Sequence, residues 1–412
     1  MNKYCVLLVL LCIFGNRHSY EVYAFHSQVR LSPIIFVPGD GGTQLRAKLN
    51  KSSSPHYICQ KQSDWYSIWL NLDQLIPGAI DCWVDNIKLY YDNITRTTHN
   101  TPGVTISIPE NGWGDPEIVE WIDPTRNKNG AYFKDIGDML VKEFNYVRLK
   151  NLHGAPYDFR KAPNEQKQFF IDLKQLVETS YERNDRTPVT FISHSMGSPM
   201  TLVFLQQQTY AWKKKYVKRI ISLAGAWAGS IKAVKVFAMG DDLDALLLSA
   251  DKLKAEQISC PSTAWLLPSP YFWKTNEVII HAPNRDYTMS QLSNFFTDID
   301  YQIGWEMRKD TLKYTLNFSP PDVELHCLYG DNMDTVEKLR YKKTPIVNEK
   351  PELIFGRGDG TVNRRSLEAC QHWIGYQNES ITYMSYSHVD HMGILANVNV
   401  LKYIKNVISK DL

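Results

Sequence analysis

Short runs of β-branched and aromatic residues alternate along this chain with stretches whose apolar positions recur every three or four residues. Ile34-Ile35-Phe36-Val37 has no polar position, which predicts a strand buried on both faces and ended by Pro38-Gly39. Val189 to Ile192, Ile220 to Leu223 and Leu325 to Tyr329 read the same way. Phe169, Phe170, Leu173, Leu176 and Val177 share one helical face, with Asn164 and Glu165 placed to cap it. A helix-like run from Pro199 to Leu205 follows the second of these strands, and a final helix is predicted over Ile394 to Ile408. Such alternation predicts an α/β fold with a mostly parallel sheet. Two stretches break the rhythm, at about 45–100 and about 231–320, and read as insertions on that core.

The first residues change the compartment. Lys3 precedes an apolar run from Val6 to Phe14, and Val22-Tyr23-Ala24 offers a small-residue cleavage site. The run is too short to span a ~30 Å hydrocarbon core, so it predicts a signal peptide over 1–24 and a secretory mature chain, 25–412. Asn50, Asn93, Asn317 and Asn378 each open an Asn-x-Ser/Thr glycosylation acceptor. Of the seven cysteines, Cys5 and Cys12 leave with the signal. The remainder is odd in number, which predicts two bridges and one spare thiol. None of them forms a CxxC spacing, which argues against zinc.

Composition narrows the classes. A hydrophobic fraction of 43% and a charged fraction of 22% exclude a disordered tail or a coiled coil. The balance of 46 basic against 44 acidic residues carries no phosphate-binding excess, which argues against nucleic acid. Of the 11 histidines, His18 leaves with the signal, and the other ten would turn the mature chain cationic in acid and draw it toward anionic lipid.

The sharpest chemical signal is Ser193-His194-Ser195-Met196-Gly197 between a strand and a helix. A tight strand-to-helix turn lifts a serine hydroxyl out of the sheet, and small flanking residues let it close. The usual first glycine is Ser193 here. A serine hydroxyl needs a base to take its proton, and in this architecture an acid and then a histidine follow the serine. The acid candidate is Asp359, between Gly358 and Gly360, in a loop that would follow a strand over Leu353 to Phe355. The base is His388 or His391, both before the final helix, and spacing alone leaves the choice open. Oxyanion stabilisation needs two backbone N–H groups. Met196, after the serine, and Asp40, in Pro38-Gly39-Asp40-Gly41-Gly42, are the candidates. No Lys-Ser/Thr follows that Gly-rich loop, so it does not read as a P-loop.

At this point the chain resembles the lecithin:cholesterol acyltransferase family. The matching stretches are FVPGDGGTQLRAKL from Phe36, IWLNLDQLIPGAIDCWVDNIKL from Ile68, GAPYDFRKAPNE from Gly154, SHSMG from Ser193, LPSPYFW from Leu267, HCLYG from His326, GDGTVN from Gly358 and HMGILAN from His391. They run in order over nearly the whole mature chain, and they lie nearer the family's phospholipase branch than its sterol acyltransferase branch. The resemblance implies an α/β-hydrolase core with a membrane-binding lid subdomain over 45–100 and a cap insertion over 231–320. It implies Ser195, Asp359 and His391 as the triad, and Asp40 and Met196 as oxyanion donors. It pairs Cys59 with Cys82 in the lid and Cys327 with Cys370, leaving Cys260 free. Trp65 and Trp69 fall in the lid region, where they either enter a lipid interface or pack inside the subdomain.

The implied activity is a serine acyl hydrolase and transacylase acting on glycerophospholipids. It releases a fatty acid or passes the acyl chain to a lipid alcohol such as ceramide. It needs no cofactor and no metal, works as a peripheral monomer on a phospholipid membrane surface, and belongs in the lysosomal lumen or outside the cell. The alternatives are a secreted phosphatidylcholine–sterol O-acyltransferase and a catalytically silent lipid carrier. Three departures bear on acceptor preference and pocket shape. Gly225-Ala226-Trp227-Ala228-Gly229 replaces a small-Pro-Trp-Gly-Gly stretch, Asn151 stands where the phospholipase branch has an acidic residue, and the segment before Asp359 is shorter.

Overall fold

The computed structural model describes residues 31–243, 249–347 and 349–412. The expected signal peptide, residues 1–24, lies outside the described residues. The centre is a six-stranded sheet in the order Ile381–Ser387, Glu324–Asp331, Val217–Leu223, Val189–His194, Ile34–Val37, Leu152–Gly154. Every neighbouring pair in it is parallel.

Parallel strands covered on both faces need apolar residues at every position. Ile35 and Val37 point into one core layer with Phe170, Leu173, Val177 and Phe204. Ile34 and Phe36 point into the other with Phe133, Ile136, Leu140 and Ile404. Phe36 stacks on Phe133 with ring centroids 4.6 Å apart. The unbroken apolar run is therefore two half-strands serving two cores.

The helix Lys167–Arg183 covers the first layer, but Asn164 and Glu165 do not cap it. They form a separate turn, Pro163–Glu165, and the Glu165 carboxylate accepts from the Thr98 N–H and hydroxyl instead. The last helix is Val398–Ser409 rather than a run from Ile394. Its start is fixed by the Asn397 side chain, which accepts from the Asn399 and Val400 amides.

The stretch after the first strand folds as an antiparallel three-stranded sheet, Gln62–Trp69, Leu45–Asn50, Val104–Ser107, with the helix Ile80–Ile87 against it. The Cys59–Cys82 bridge ties this hairpin to that helix, with Cα atoms 5.4 Å apart. Cys327 and Cys370 form the second bridge and Cys260 is a buried free thiol. The stretch over 231–320 is mainly helical, but it does not stand apart. Its hairpin, Val278–Ala282 with Arg285–Thr288, joins Met333–Arg340 and Glu352–Gly358 in a second sheet. The strand preceding Asp359 thus belongs to this second sheet, antiparallel to Met333–Arg340. That excursion returns the chain to the end of Glu324–Asp331, where Asp359 bridges Met333.

The carboxyl ends of the central strands accordingly bring four segments to one edge: 38–42, 193–197, 359–362 and 388–391. This is where open α/β sheets build their sites. Among the described residues no helix is long and apolar enough to cross a membrane.

Candidate active site

Ser195 sits at φ +53°, the left-handed region, immediately after the strand Val189–His194. Such a conformation at a non-glycine residue is strained and needs support from its surroundings. Two glycines allow it. A Cβ on Gly197 would lie 2.3 Å from the Val37 carbonyl oxygen, and one on Gly39 would lie 2.7 Å from Ser195 Cβ. Ser193, in place of the usual glycine, keeps its hydroxyl in a buried chain: its Oγ is 2.9 Å from Ser198 Oγ, which is 2.8 Å from Ser222 Oγ.

Ser195 Oγ lies 2.9 Å from His391 Nε2, and His391 Nδ1 lies 2.7 Å from Asp359 Oδ2. Asp359 is fully buried. Its Oδ1 accepts from the Thr361 and Val362 amides at 3.1 and 2.7 Å, and its carbonyl accepts from His391 N–H at 2.8 Å. An ionised carboxylate fixed in this way makes His391 Nδ1 the protonated nitrogen. Nε2 is then free to accept from the serine. His388 is exposed, so the structure brings His391 to the serine and leaves His388 out.

The loop 38–42 is pinned by three aromatic side chains. Tyr157 OH donates to the Pro38 carbonyl at 2.8 Å, Gly39 N–H donates to Tyr132 OH at 2.9 Å, and Trp69 Nε1 donates to the Gly41 carbonyl at 2.6 Å. Gly42 N–H closes a turn onto the Gly39 carbonyl, and Gly41 N–H bonds the Asp40 carboxyl. Asp40 N–H has no protein partner among the described residues, and neither does Met196 N–H at the start of the helix Gly197–Gln206. Two free donors therefore flank the serine, as an oxyanion site requires.

Trp69 takes the second of its two expected places. It is not a surface residue of the lid: it packs between Trp83 and Phe159, and its indole N–H finds its partner in the oxyanion loop. A partly buried indole needs such a partner, which turns the ring inward. Trp65, four residues earlier, is 39% exposed, with the Arg46 guanidinium over its ring. Tyr132 and Tyr157 were not singled out in the sequence, although Tyr157 lies within the Gly154-Ala155-Pro156-Tyr157 stretch.

Burial moves several protons. The Asp40 side chain opens to solvent, yet the protein crowded around its carboxyl pushes the pKa up to about 6, against the opposing pull of the Gly41 N–H. Burial holds His194 well below its ordinary value and lowers His153. Burial opposes protonation of both, so the cationic turn expected from the ten histidines of the mature chain is smaller than their number suggests. Asn151 uses its side-chain oxygen to accept from Val147 N–H, and Trp227 of the altered Gly225–Gly229 stretch packs edge-on to Trp373. Asn50, Asn93, Asn317 and Asn378 are all exposed. Among the described residues no group of three or more His, Cys, Asp or Glu side chains is arranged to hold a metal ion.

The lecithin:cholesterol acyltransferase family model matches residues 65–400. The chain belongs to the lecithin:cholesterol acyltransferase family. Its relatives in that family include the dog protein named lysosomal phospholipase A and acyltransferase, 39% identical over 92% of this chain and 92% of that one. The human protein of the same name is 39% identical over 92% of this chain and 91% of its own. The chicken phosphatidylcholine-sterol acyltransferase is 36% identical over 88% of this chain and 87% of its own. Among solved structures, a chain of the Tle4–Tli4 complex shares the fold with TM-score 0.56 at 12% identity, over 92% of this chain and 98% of that chain. The fold of this family member is an α/β-hydrolase.

Proposed function

We propose that this protein is a Ser-His-Asp acyl hydrolase and transacylase acting on glycerophospholipids. The observation that carries the reading is the Ser195–His391–Asp359 hydrogen-bonded line with two unpartnered amides beside it. His391 Nε2 takes the Ser195 proton as Oγ attacks the ester carbonyl. The Asp40 and Met196 amides hold the oxyanion, and Asp359 holds the imidazolium. His391 then returns the proton to the departing lysophospholipid oxygen, leaving an acyl ester on Ser195. Water or a lipid alcohol, deprotonated by the same histidine, attacks that ester and carries the acyl group away. Relatives named both as a phospholipase and as acyltransferases support the two outcomes.

The substrate would be met at a membrane surface. Trp65, Leu72 and Ile76, within the loop closed by the Cys59–Cys82 bridge, and Tyr57 and Ile58, just ahead of Cys59, are exposed apolar side chains. We assign to this 45–100 segment the lid and membrane contact, to the 231–320 segment the cap, and to the protein a peripheral, monomeric life in the lysosomal lumen or outside the cell. The bridge spans 23 residues, for which loop-closure entropy gives roughly 3 kcal/mol. Cys82→Ser is therefore expected to loosen this segment and to lower the rate on phospholipid vesicles more than on a soluble short-chain ester. Equal losses on both would show that the bridge supports the whole fold.

Asp40 gives the reaction a pH dependence. Below its pKa of about 6 the side chain is neutral, and its own N–H can receive the oxyanion unopposed. As pH rises through that value the carboxyl ionises and repels the developing charge. At about pH 7 only roughly a tenth of the molecules keep the proton. Asp40→Asn keeps the N–H and removes the charge. The ratio of activity at about pH 7 to that at about pH 5 is expected to rise roughly tenfold over wild type. An unchanged profile would remove Asp40 as the cause. The reading as a whole is tested by supplying phospholipid vesicles with and without ceramide. Equimolar fatty acid and lysophospholipid are expected without it, and acylceramide with it. A folded protein that releases neither would contradict it.

A further inference from the structure

Three loops meet at the site, each from the end of a different strand, and something must hold them in register. We propose that Tyr132 and His194 are positioning residues, forming one hydrogen-bonded bridge that fixes the oxyanion loop against the serine turn and the histidine loop. The inference rests on the hydrolase reading above and adds to it the pair that sets its geometry.

The bridge runs from Gly39 N–H to Tyr132 OH at 2.9 Å, from Tyr132 OH to His194 Nδ1 at 2.5 Å, and from His194 Nε2 to the His391 carbonyl oxygen at 2.9 Å. Its polarity follows from the ends. A carbonyl only accepts, so His194 Nε2 carries the proton. In a neutral ring Nδ1 is then the acceptor, so Tyr132 donates to it. The tyrosine oxygen is left to accept from Gly39 N–H. Each donor hydrogen is used once, and the bonds all run in one direction. The bridge needs His194 neutral, and burial favours that form. Both side chains are buried, so a broken link would leave unpaired polar groups with no water to replace them.

The anchor is stiff. Tyr132 N–H donates to the Glu120 carbonyl at 2.8 Å, and the next residue, Phe133, stacks on Phe36 in the central strand. The load is placed where small shifts matter. Gly39 touches the serine so closely that a Cβ there would meet Ser195 Cβ at 2.7 Å, and the next amide along is the Asp40 donor. At the other end His194 holds the main chain of His391, the residue whose ring faces the serine. His194 meets no reacting atom in this arrangement. It acts through the two loops it joins.

The test uses a soluble ester, so that membrane binding does not enter, and an alkyl boronic acid. Boronate adds to a serine hydroxyl as a tetrahedral anion and reports the oxyanion geometry directly. For Tyr132→Phe we expect kcat to fall about 10- to 100-fold, with boronate affinity falling in parallel and KM within about twofold of wild type. His194→Leu is expected to do the same. The double variant is expected to lose no more than the worse single one, because both break a single bridge. His194→Gln presents an acceptor and a donor on one planar group and is expected to regain part of the His194→Leu loss. It also supplies a readout should Tyr132→Phe not fold. A folded Tyr132→Phe with kcat within about twofold of wild type would overturn the proposal. So would a fall in kcat without loss of boronate affinity, or fully additive losses in the double variant. If Ser195→Ala is inactive while Tyr132→Phe is not, the bridge fails and the hydrolase reading stands. If Ser195→Ala is as active as wild type, the hydrolase reading itself fails.

Discussion

Ser195→Ala is expected to lower the acylation rate by roughly 10⁴–10⁶ and to leave the fold and vesicle binding unchanged. The size follows from the chemistry: the variant has no oxygen to form the acyl ester, and only the two amide donors remain to polarise the carbonyl. The fold should survive because alanine at φ +53° meets the same backbone strain as serine, and the supporting glycines at 39 and 197 are untouched. Vesicle binding should survive because the exposed apolar residues Tyr57, Ile58, Leu72 and Ile76 lie in another segment of the chain. Vesicle co-sedimentation alongside a fatty-acid assay checks both halves. Residual activity within about tenfold of wild type would place the nucleophile elsewhere.

The second large effect concerns the histidine and its orienting acid. His391→Ala is expected to cost nearly as much as Ser195→Ala, and His388→Ala much less, since only His391 lies within hydrogen-bond reach of Ser195 Oγ, at 2.9 Å. Asp359→Asn is expected to cost about 10⁴. Its amide would present a donor where the imidazole also donates, favouring the other tautomer and turning Nε2–H toward the serine. The loop should stay in place, because His391 N–H is held by the Asp359 carbonyl and not by its side chain. Steady-state kinetics of the three variants on a soluble ester decide it. A dead His388→Ala with an active His391→Ala would invert the assignment.

What the sequence made legible was whatever is local. The serine turn is written in five consecutive residues, and the parallel sheet in unbroken apolar runs such as Ile34–Val37, whose alternate side chains serve two cores. Asp359 was visible only as a Gly-Asp-Gly loop. Its strand pairs with Met333–Arg340 in a second sheet, and that pairing is not encoded in either strand alone. The choice of His391 over His388 came from family resemblance, because two histidines three residues apart in one loop carry the same local signal. The sequence left the placement of Trp69 open, because an aromatic in a lid segment reads alike whether it faces lipid or a loop carbonyl. Asn164 and Glu165 looked like caps until Glu165 found the Thr98 amide, a partner 67 residues away. Tyr132 carries no motif at all, and its role is defined by Gly39 and His194, which lie 93 and 62 residues from it.

The central claim is that Ser195 carries the acyl group between lipid and acceptor. The most direct measurement is to mix the enzyme with phospholipid vesicles, quench in acid within the first turnovers, and map the acylated peptide by tandem mass spectrometry. The expected result is one fatty acyl ester on Ser195, absent from Ser195→Ala and discharged when ceramide is added before the quench. Fatty-acid release at full rate with the acyl group on another residue, or with Ser195→Ala as active as wild type, would contradict the account.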